Sequence, residues 1–192
     1  MHLPASPPLN PFDLLTPQLR AALARVRFLL LDVDGVLTNG RLSLSDTEIE
    51  DKTYSTRDGF AIVWIRNYGL KVGVISGRRS AGTDRRCRDL KMDEIHLGHL
   101  KKIAVFEEIV ARHGLTDDAV AFIGDDLIDL PLMARVGVSA CPNDAHFEVL
   151  DRANIVLRHP GGNGAVREFI DLWLMANGKW EQSITDIFNG NY

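Results

Sequence analysis

The sequence has only two cysteines and no long hydrophobic run. Cys87 and Cys141 fit neither a disulfide framework nor a zinc site, which favours a reducing, cytoplasmic environment. No apolar stretch approaches membrane-spanning length, and the start, MHLPASPPLNPFD, lacks the basic and apolar regions of a signal peptide. With 45% hydrophobic and 25% charged residues, the composition is that of an ordinary globular protein, and we expect no membrane partner.

Features of nucleotide and nucleic-acid binding are also missing. The net charge is -4, and no basic run or alternation of basic and aromatic residues predicts a nucleic-acid surface. The first predicted strand is not followed by G-x-G-x-x-G, which removes the fingerprint of a dinucleotide-binding site. The glycine-rich turn Gly161–Gly164 is not followed by G-K-S/T, so it is not a P-loop and is interpreted mainly as a turn. His96 and His99 are too sparse a set for zinc and are interpreted as surface or packing histidines.

The length of 192 residues suits one well-packed domain and is too short for two. Short apolar strands alternate with helices, which predicts an α/β fold, a three-layer α/β/α sandwich around a mainly parallel, Rossmann-like sheet. We expect this domain to span residues 16–178, after a proline-rich, extended or disordered arm of residues 1–15. Residues 179–192 form a polar tail, in which four apolar side chains indicate docking: Trp180, Ile184, Ile187 and Phe188.

Two aspartates follow the first predicted strand. Phe28–Leu31 is an unalternating apolar run, typical of a strand buried on both faces of a parallel sheet, and it leads directly into D-V-D-G. Side chains two apart on a strand point the same way, so Asp32 and Asp34 present two carboxylates to one volume, which suits a divalent cation or a retained proton. An ordinary loop start is the alternative. The strand before the pair and the following G-V-L-T, in which Thr38 offers a hydroxyl, favour chemistry.

Two further strand ends carry groups suited to a phosphate. The buried strand Lys71–Ser76 runs into Gly77 and Arg78, where a hydroxyl, amides and a guanidinium favour an oxyanion, although a plain helix cap is the simpler explanation. Lys101 and Lys102 begin a later helix. A positive charge is unfavourable there unless a bound phosphate compensates for it, and two solvated lysines are the alternative.

A cluster of carboxylates follows the predicted strand Ala119–Ile123. The strand runs into G-D-D-L-I-D, which contains Asp125, Asp126 and Asp129. The alternative is an ordinary helix N-terminus with several acidic residues. However, open α/β sheets bind ligands at the carboxyl ends of their strands, and all the candidate groups lie at such ends. We therefore expect them to meet at one edge of the sheet.

The order and spacing of these motifs resemble the haloacid dehalogenase superfamily of phosphotransferases. D-V-D-G-V-L-T matches that superfamily's first motif, D-x-D-G-x-x-T, and the second, third and fourth match Ser76, Lys102 and the G-D-D-x-x-D run. An aspartate at the second position of the first motif indicates phosphatase or phosphomutase chemistry.

From Arg27 to about Lys179, the chain is similar to a capless group in that superfamily, the 3-deoxy-D-manno-octulosonate 8-phosphate phosphatases. The similarity rests on S-G-R, on G-D-D-L-I-D, on R-D-G, which begins at Arg57, and on G-G-N-G-A-V-R-E. The chain departs from the group's pattern at Asn163 and at Asn39. These departures leave open whether the sugar has eight carbons or is a related nine-carbon keto-deoxy acid.

The resemblance implies a magnesium-dependent phosphatase of lipopolysaccharide precursor synthesis. Asp32 would be the nucleophile that becomes phosphorylated, and Asp34 would be the general acid and base. Ser76 and Lys102 would bind the transferring phosphoryl group.

The resemblance also implies the binding residues. Mg²⁺ would be held by Asp32, the main-chain carbonyl of Asp34, Asp125 and, through water, Asp126. Asp129 would cap and orient their loop. The sugar acid would be contacted by four further residues: Arg78, the weaker candidate Arg57, Gly77 and Thr38.

The spacing of the motifs leaves no room for a cap domain. Residues 41–45 and 49–54 alternate in polarity around a possible turn, which predicts a β-hairpin flap at about residues 41–56, with a solvated loop as the alternative. The related phosphatases are tetramers. The resemblance therefore implies a homotetramer whose flap and tail reach neighbouring active sites.

Other functions stay open at this point. A phosphomutase would share the aspartates, although the missing cap argues against it. A non-catalytic oligomeric binding protein could retain the fold without the reaction.

Overall fold

The computed structural model describes residues 10–44 and 50–192. A six-stranded, all-parallel sheet forms the centre of the molecule, with the strand order β5-β4-β1-β6-β7-β8. Its strands are β1 Phe28–Leu31, β4 Lys71–Ser76, β5 Glu94–Leu97, β6 Val120–Ile123, β7 Val138–Cys141 and β8 Ile155–Val156. The predicted α/β fold with a mainly parallel sheet is confirmed.

Helices cover both faces of this sheet. In the described part of the chain they are α1 Pro17–Arg25, α2 Thr56–Ile65, α3 Ala81–Asp89, α4 Lys102–His113, α5 Leu130–Met133, α6 Phe147–Arg152, α7 Ala165–Ala176 and α8 Trp180–Phe188. Four short 3-10 helices lie at Pro11–Leu14, Arg66–Tyr68, Asp117–Ala119 and Leu127–Asp129. None of these helices is long and apolar enough to cross a membrane.

Strand β1 shows why the apolar run is continuous. Leu29 and Leu31 belong to the core on the side of α1, α2 and α7, and Phe28 and Leu30 belong to the core on the side of α4 and α5. All four side chains are fully buried. Since both faces of the strand are covered, alternation with polar residues is not tolerated, and the first catalytic candidate follows at the strand's end.

A second, two-stranded sheet projects after β1. Strand β2, Ser43–Leu44, pairs antiparallel with β3, Glu50–Asp51, in the register Ser43 to Asp51. This pairing agrees with the predicted hairpin flap, whose expected turn at residues 46–48 lies outside the described residues. Between Asp34 and Lys102 the described residues hold only this hairpin and elements of the main domain, and no cap domain.

The ends of the chain contain more structure than the sequence indicated. Part of the expected arm, Pro11–Leu14, is a 3-10 helix, and Phe12 and Leu15 pack against the core, while residues 1–9 lie outside the described residues. The polar tail contains α8, and Tyr68 donates a hydrogen bond of 2.5 Å to Asp186 on that helix.

The cap of helix α6 is His146. Asp144 suits a helix cap by residue type, but α6 begins at Phe147, and the side chain of His146 accepts the hydrogen bond from Glu148 N. The helix starts too late for Asp144 to reach its amides. Asp144 instead accepts a hydrogen bond of 2.9 Å from Gly161 N.

Candidate active site

The loop after β1 is a compact turn that aims two carboxylates at the carboxyl edge of the sheet. Asp32 N donates to Ile123 O of β6, which fixes the strand end. The main-chain N–H groups of Val36, Leu37 and Thr38 then all point at one carbonyl, that of Val33. Asp32 is buried and Asp34 is partly exposed, and both line the same cleft.

Glycines allow two other loops to pack closely against the loop that carries Asp32 and Asp34. Gly35 has φ +91°, and a Cβ atom on it would lie 2.0 Å from Oδ2 of Asp125. A Cβ atom on Gly161 would lie 1.8 Å from the carbonyl oxygen of Gly35. Gly162 N also donates to Val36 O at 2.9 Å. The G-G-N-G turn and Asp125 therefore both lie against the Asp32–Asp34 loop, the turn through its main chain and Asp125 through its side chain.

Lys102 is a buried cation held between two carboxylates. Its Nζ lies 2.5 Å from Oδ1 of Asp32 and 2.6 Å from Oδ1 of Asp129, and its side chain is 1% exposed. Burial disfavours the charged ammonium, but Asp32 and Asp129 outweigh that cost and raise the pKa of Lys102. The expectation that Lys102 rather than Lys101 faces the site agrees with this geometry, since Lys101 is exposed.

Three carboxylates, those of Asp32, Asp125 and Asp129, come within 4.8 Å of one another. Burial raises the pKa of Asp32 to about 6, although Lys102 opposes the shift. Burial, reinforced by Asp32 and Asp129, raises the pKa of Asp125 to about 8. Among the described residues, Oδ1 of Asp125 is buried and has no hydrogen-bond partner. Such a concentration of negative charge with an unsatisfied oxygen fits a divalent cation that prefers oxygen ligands.

The acidic loop after β6 places its three aspartates differently. Asp129 is fully buried, and its Oδ2 accepts hydrogen bonds from Asp125 N at 2.9 Å and Asp126 N at 3.3 Å, so the predicted capping role is confirmed. Asp126 is exposed, and its Oδ1 accepts from Leu127 N at 2.7 Å. The structure thus groups Asp129, rather than the expected Asp126, with Asp32 and Asp125. Asp126 still lines the cleft.

The end of β4 forms the opposite wall of the cleft, whose volume is about 280 Å³. Ser76 is buried, and its Oγ accepts from Arg78 N at 3.3 Å. Gly77 and Arg78 line the same cleft, and Arg78 Nε lies 3.9 Å from Oδ2 of Asp34. Leu100 and Ile128 add an apolar rim. Groups from β1, β4 and β6 therefore converge as the strand pattern predicted.

Two expected substrate contacts lie elsewhere. Thr38 is 1% exposed, and its hydroxyl binds the main chain of its own loop, accepting from Gly40 N at 3.2 Å, so it organises the loop and does not line the cleft. Arg57 lines a separate pocket of about 600 Å³ together with Arg158 and Arg167. The expectation that Thr38 and Arg57 contact a sugar in this chain's cleft therefore disagrees with the geometry.

Two residues of structural importance near the site were not identified from the sequence. Lys52, just after β3, places Nζ 2.6 Å from Oδ1 of Asp34. Asp58, the neighbour of Arg57 in R-D-G, is buried and accepts from Gly164 N at 3.0 Å and Arg167 N at 2.8 Å, which caps α7. The R-D-G motif could have indicated Asp58, because an acidic residue suits a helix N-terminus, but its partner lies far along the chain.

An aspartate at the end of the central strand, a buried lysine and an acidic loop, all at the carboxyl edge of a parallel sheet, define a hydrolase of the haloacid dehalogenase class. A family model described as haloacid dehalogenase-like hydrolase matches residues 91–170. The 3-deoxy-D-manno-octulosonate 8-phosphate phosphatase KdsC of Escherichia coli K12 is 37% identical over 82% of this chain and 84% of its own length.

Solved structures extend the comparison. The 3-deoxy-D-manno-octulosonate 8-phosphate phosphatase of Yersinia pestis has a TM-score of 0.84 at 37% identity, over 86% of this chain and 89% of that one. The enzyme of the same name from Moraxella catarrhalis, in complex with magnesium ion, phosphate ion and a KDO molecule, has a TM-score of 0.86 at 26% identity, over 90% and 99% of the two chains. The chain therefore belongs to the haloacid dehalogenase-like hydrolases, in the subfamily of these phosphatases, and is a phosphoric monoester hydrolase.

Proposed function

We propose that this protein hydrolyses 3-deoxy-D-manno-octulosonate 8-phosphate to the free keto-deoxy sugar and phosphate. The observation that carries the proposal is the assembly of Asp32, Lys102 and Asp125 at the end of β1, in a chain that is 37% identical to the Escherichia coli enzyme of that name over 82% of its length. The lipopolysaccharide pathway is proposed on the same likeness.

Asp32 is the proposed nucleophile. Its carboxylate attacks phosphorus, the ester bond to the sugar oxygen breaks, and an aspartyl phosphate forms. Asp34, partly exposed in the same cleft, donates a proton to the departing sugar oxygen and then accepts one from the water that hydrolyses the aspartyl phosphate. Lys102 is already paired with Asp32, so its ammonium lies beside the phosphoryl oxygens and offsets the repulsion between two anions.

The remaining wall of the cleft would bind the substrate. Ser76 and the main chain of Gly77 contact the phosphoryl group in the proposal, and Arg78, half exposed, binds the carboxylate of the sugar acid. Asp32, Asp125 and the main-chain carbonyl of Asp34 would hold Mg²⁺, which neutralises phosphate charge when it is bound. Arg57 has no proposed contact with the substrate in this cleft, because it lines another pocket.

We propose a cytoplasmic homotetramer, on two grounds. Cys87 and Cys141 are buried and unpaired, as suits a reducing compartment. Residues 10–44 and 50–192 form no cap over the cleft, and apolar side chains such as Phe188 and Tyr192 of the tail are largely exposed. Contacts of the flap and tail with neighbouring subunits would bury such side chains and shield the reaction from water.

A panel of phosphorylated sugars tests the proposed function. Phosphate release is measured from eight-carbon and nine-carbon keto-deoxy sugar phosphates, with Mg²⁺ and with a chelator. We expect the highest kcat/KM for the eight-carbon substrate and loss of activity on chelation. Preference for a nine-carbon substrate would change the assigned sugar, transfer of phosphate to a second sugar would indicate a mutase, and no release from any substrate would refute catalysis.

A further inference from the structure

Lys52 links the hairpin to the proposed acid and base. It lies directly after β3, its side chain is 2% exposed, and its Nζ is 2.6 Å from Oδ1 of Asp34. The other oxygen of the same carboxylate, Oδ2, is 3.9 Å from Arg78 Nε, and Asp34 remains 20% exposed in the cleft. One oxygen of Asp34 is therefore held from the hairpin, while the carboxylate stays accessible to a substrate.

The base of the hairpin is itself fixed to the main domain. Two residues after Lys52, the hydroxyl of Tyr54 lies 2.8 Å from Oγ1 of Thr83 on α3. The guanidinium of Arg86 stands 5.9 Å from the centre of the Tyr54 ring, and Ser55 caps α2. The main chain next to Lys52 is therefore anchored to the main domain, which restricts the directions that the lysine side chain can take.

Stability alone is a weak explanation for an ion pair whose lysine is buried. The desolvation of an ammonium and a carboxylate largely offsets their attraction, so buried ion pairs add little to stability on balance. A fixed carboxylate is, however, worth much in a reaction, because a displacement of about 1 Å of a catalytic group costs about 100-fold in rate.

We propose that Lys52 is a positioning residue of the phosphatase reaction, which holds the Asp34 carboxylate in the orientation needed for proton transfer and makes its placement depend on the hairpin. The inference rests on the proposed function, since it requires Asp34 to act as acid and base. Lys52 acts through Asp34 and need not touch the substrate.

Steady-state kinetics of Lys52→Met and Lys52→Arg test this role on the substrate that wild-type protein hydrolyses best. We expect Lys52→Met to lower kcat by about 10- to 100-fold with KM changed less than about threefold, and Lys52→Arg to recover part of the loss. Lys71→Met removes an exposed ammonium at the opposite end of β4 and is the matched control, with unchanged kinetics expected. Thermal unfolding of each variant separates loss of rate from loss of fold.

A double-mutant cycle with Asp34→Asn makes the test specific. If Lys52 acts through Asp34, Lys52→Met lowers the residual single-turnover rate of Asp34→Asn by less than about twofold. A further loss equal to that in wild-type protein would overturn the proposal, as would a kcat within twofold of wild type in the single variant. Should Lys52→Met fail to fold, the same comparisons on Lys52→Arg decide. If wild-type protein hydrolyses no phosphate ester, the proposed function fails first, and this inference falls with it.

Discussion

Asp32 accepts a hydrogen bond from the buried Lys102 and lies close to the carboxylates of Asp125 and Asp129. The lysine fixes the orientation of the Asp32 carboxylate, and the two neighbouring carboxylates repel it. Replacement by asparagine removes the attacking charge and relieves repulsion with Asp125 and Asp129. Lys102 keeps its partner Asp129 at 2.6 Å, so no unpaired buried charge is created. The fold should therefore survive a change that removes the proposed nucleophile.

We expect Asp32→Asn to lower phosphate release at least about 1,000-fold without lowering the unfolding temperature. The measurement pairs a phosphate-release assay with calorimetry. Asp151→Asn, a change at an exposed aspartate of α6, serves as control and should keep full activity. Turnover within tenfold of wild type would contradict the nucleophile assignment.

Asp125 gives the metal-free protein a particular pH dependence. Its folded-state pKa of about 8 lies above its ordinary value of 3.8 because burial and neighbouring carboxylates disfavour the charge. A raised carboxyl pKa means that the folded state binds more protons, so this contribution to stability is full below pH 3.8 and is lost as the pH rises towards 8. The loss above pH 6 is due mainly to Asp125, since the pKa of Asp32 is raised by burial only to about 6.

We therefore expect chelator-treated protein to unfold at a lower temperature at pH 8 than at pH 6. Saturating Mg²⁺ should remove most of this fall, because a bound cation replaces the proton on Asp125, and metal affinity should increase with pH. Differential scanning calorimetry at several pH values measures both effects. Asp125→Asn should flatten the slope above pH 6, and an unchanged slope in that variant would assign it to other groups.

At the scale of elements, the G-G-N-G turn before α7 supports the Asp32–Asp34 loop by backbone contact. An added methyl group on Gly161 would meet the carbonyl of Gly35 at 1.8 Å, so one of the two loops must move. Gly161→Ala should lower kcat/KM by about tenfold or more, because Asp32 and Asp34 shift with their loop. Gly82→Ala, inside α3 where a methyl group meets only Oγ of Ser80 at 3.8 Å, is the control. Full activity of Gly161→Ala in the phosphate-release assay would show that the G-G-N-G turn moves and that the Asp32–Asp34 loop keeps its position.

The elements also show what local sequence can and cannot predict. The end of β1 could be located because an apolar run without alternation is incompatible with exposure, and parallel topology then requires Asp32, Ser76 and Asp125 to share an edge. Lys52 could not be identified, because alternation in polarity predicts the hairpin but not the partner that a long side chain reaches from it. Asp58 was missed for a similar reason: the amide that it binds at Gly164 belongs to a distant helix.

At the scale of the whole molecule, the uncapped cleft needs shielding from outside the chain if the proposed reaction is to exclude water. We expect light scattering on the eluting protein to give a molar mass of about four times the chain mass of 21.4 kDa. Phe188, 85% exposed at the end of α8, is the best position to test the contribution of the tail. Phe188→Ser should shift the mass towards smaller species, whereas a monomeric wild-type protein would contradict the tetramer.

The two cysteines offer a practical consequence. Both thiols are inaccessible, and burial raises the pKa of Cys87 and of Cys141 to about 12, so neither supplies a reactive thiolate near neutral pH. A third cysteine, engineered at the exposed Leu42 beside β2, would be the one group that a maleimide dye modifies in the native protein. Fluorescence from that dye would report on the surroundings of the flap, without prior removal of the natural thiols.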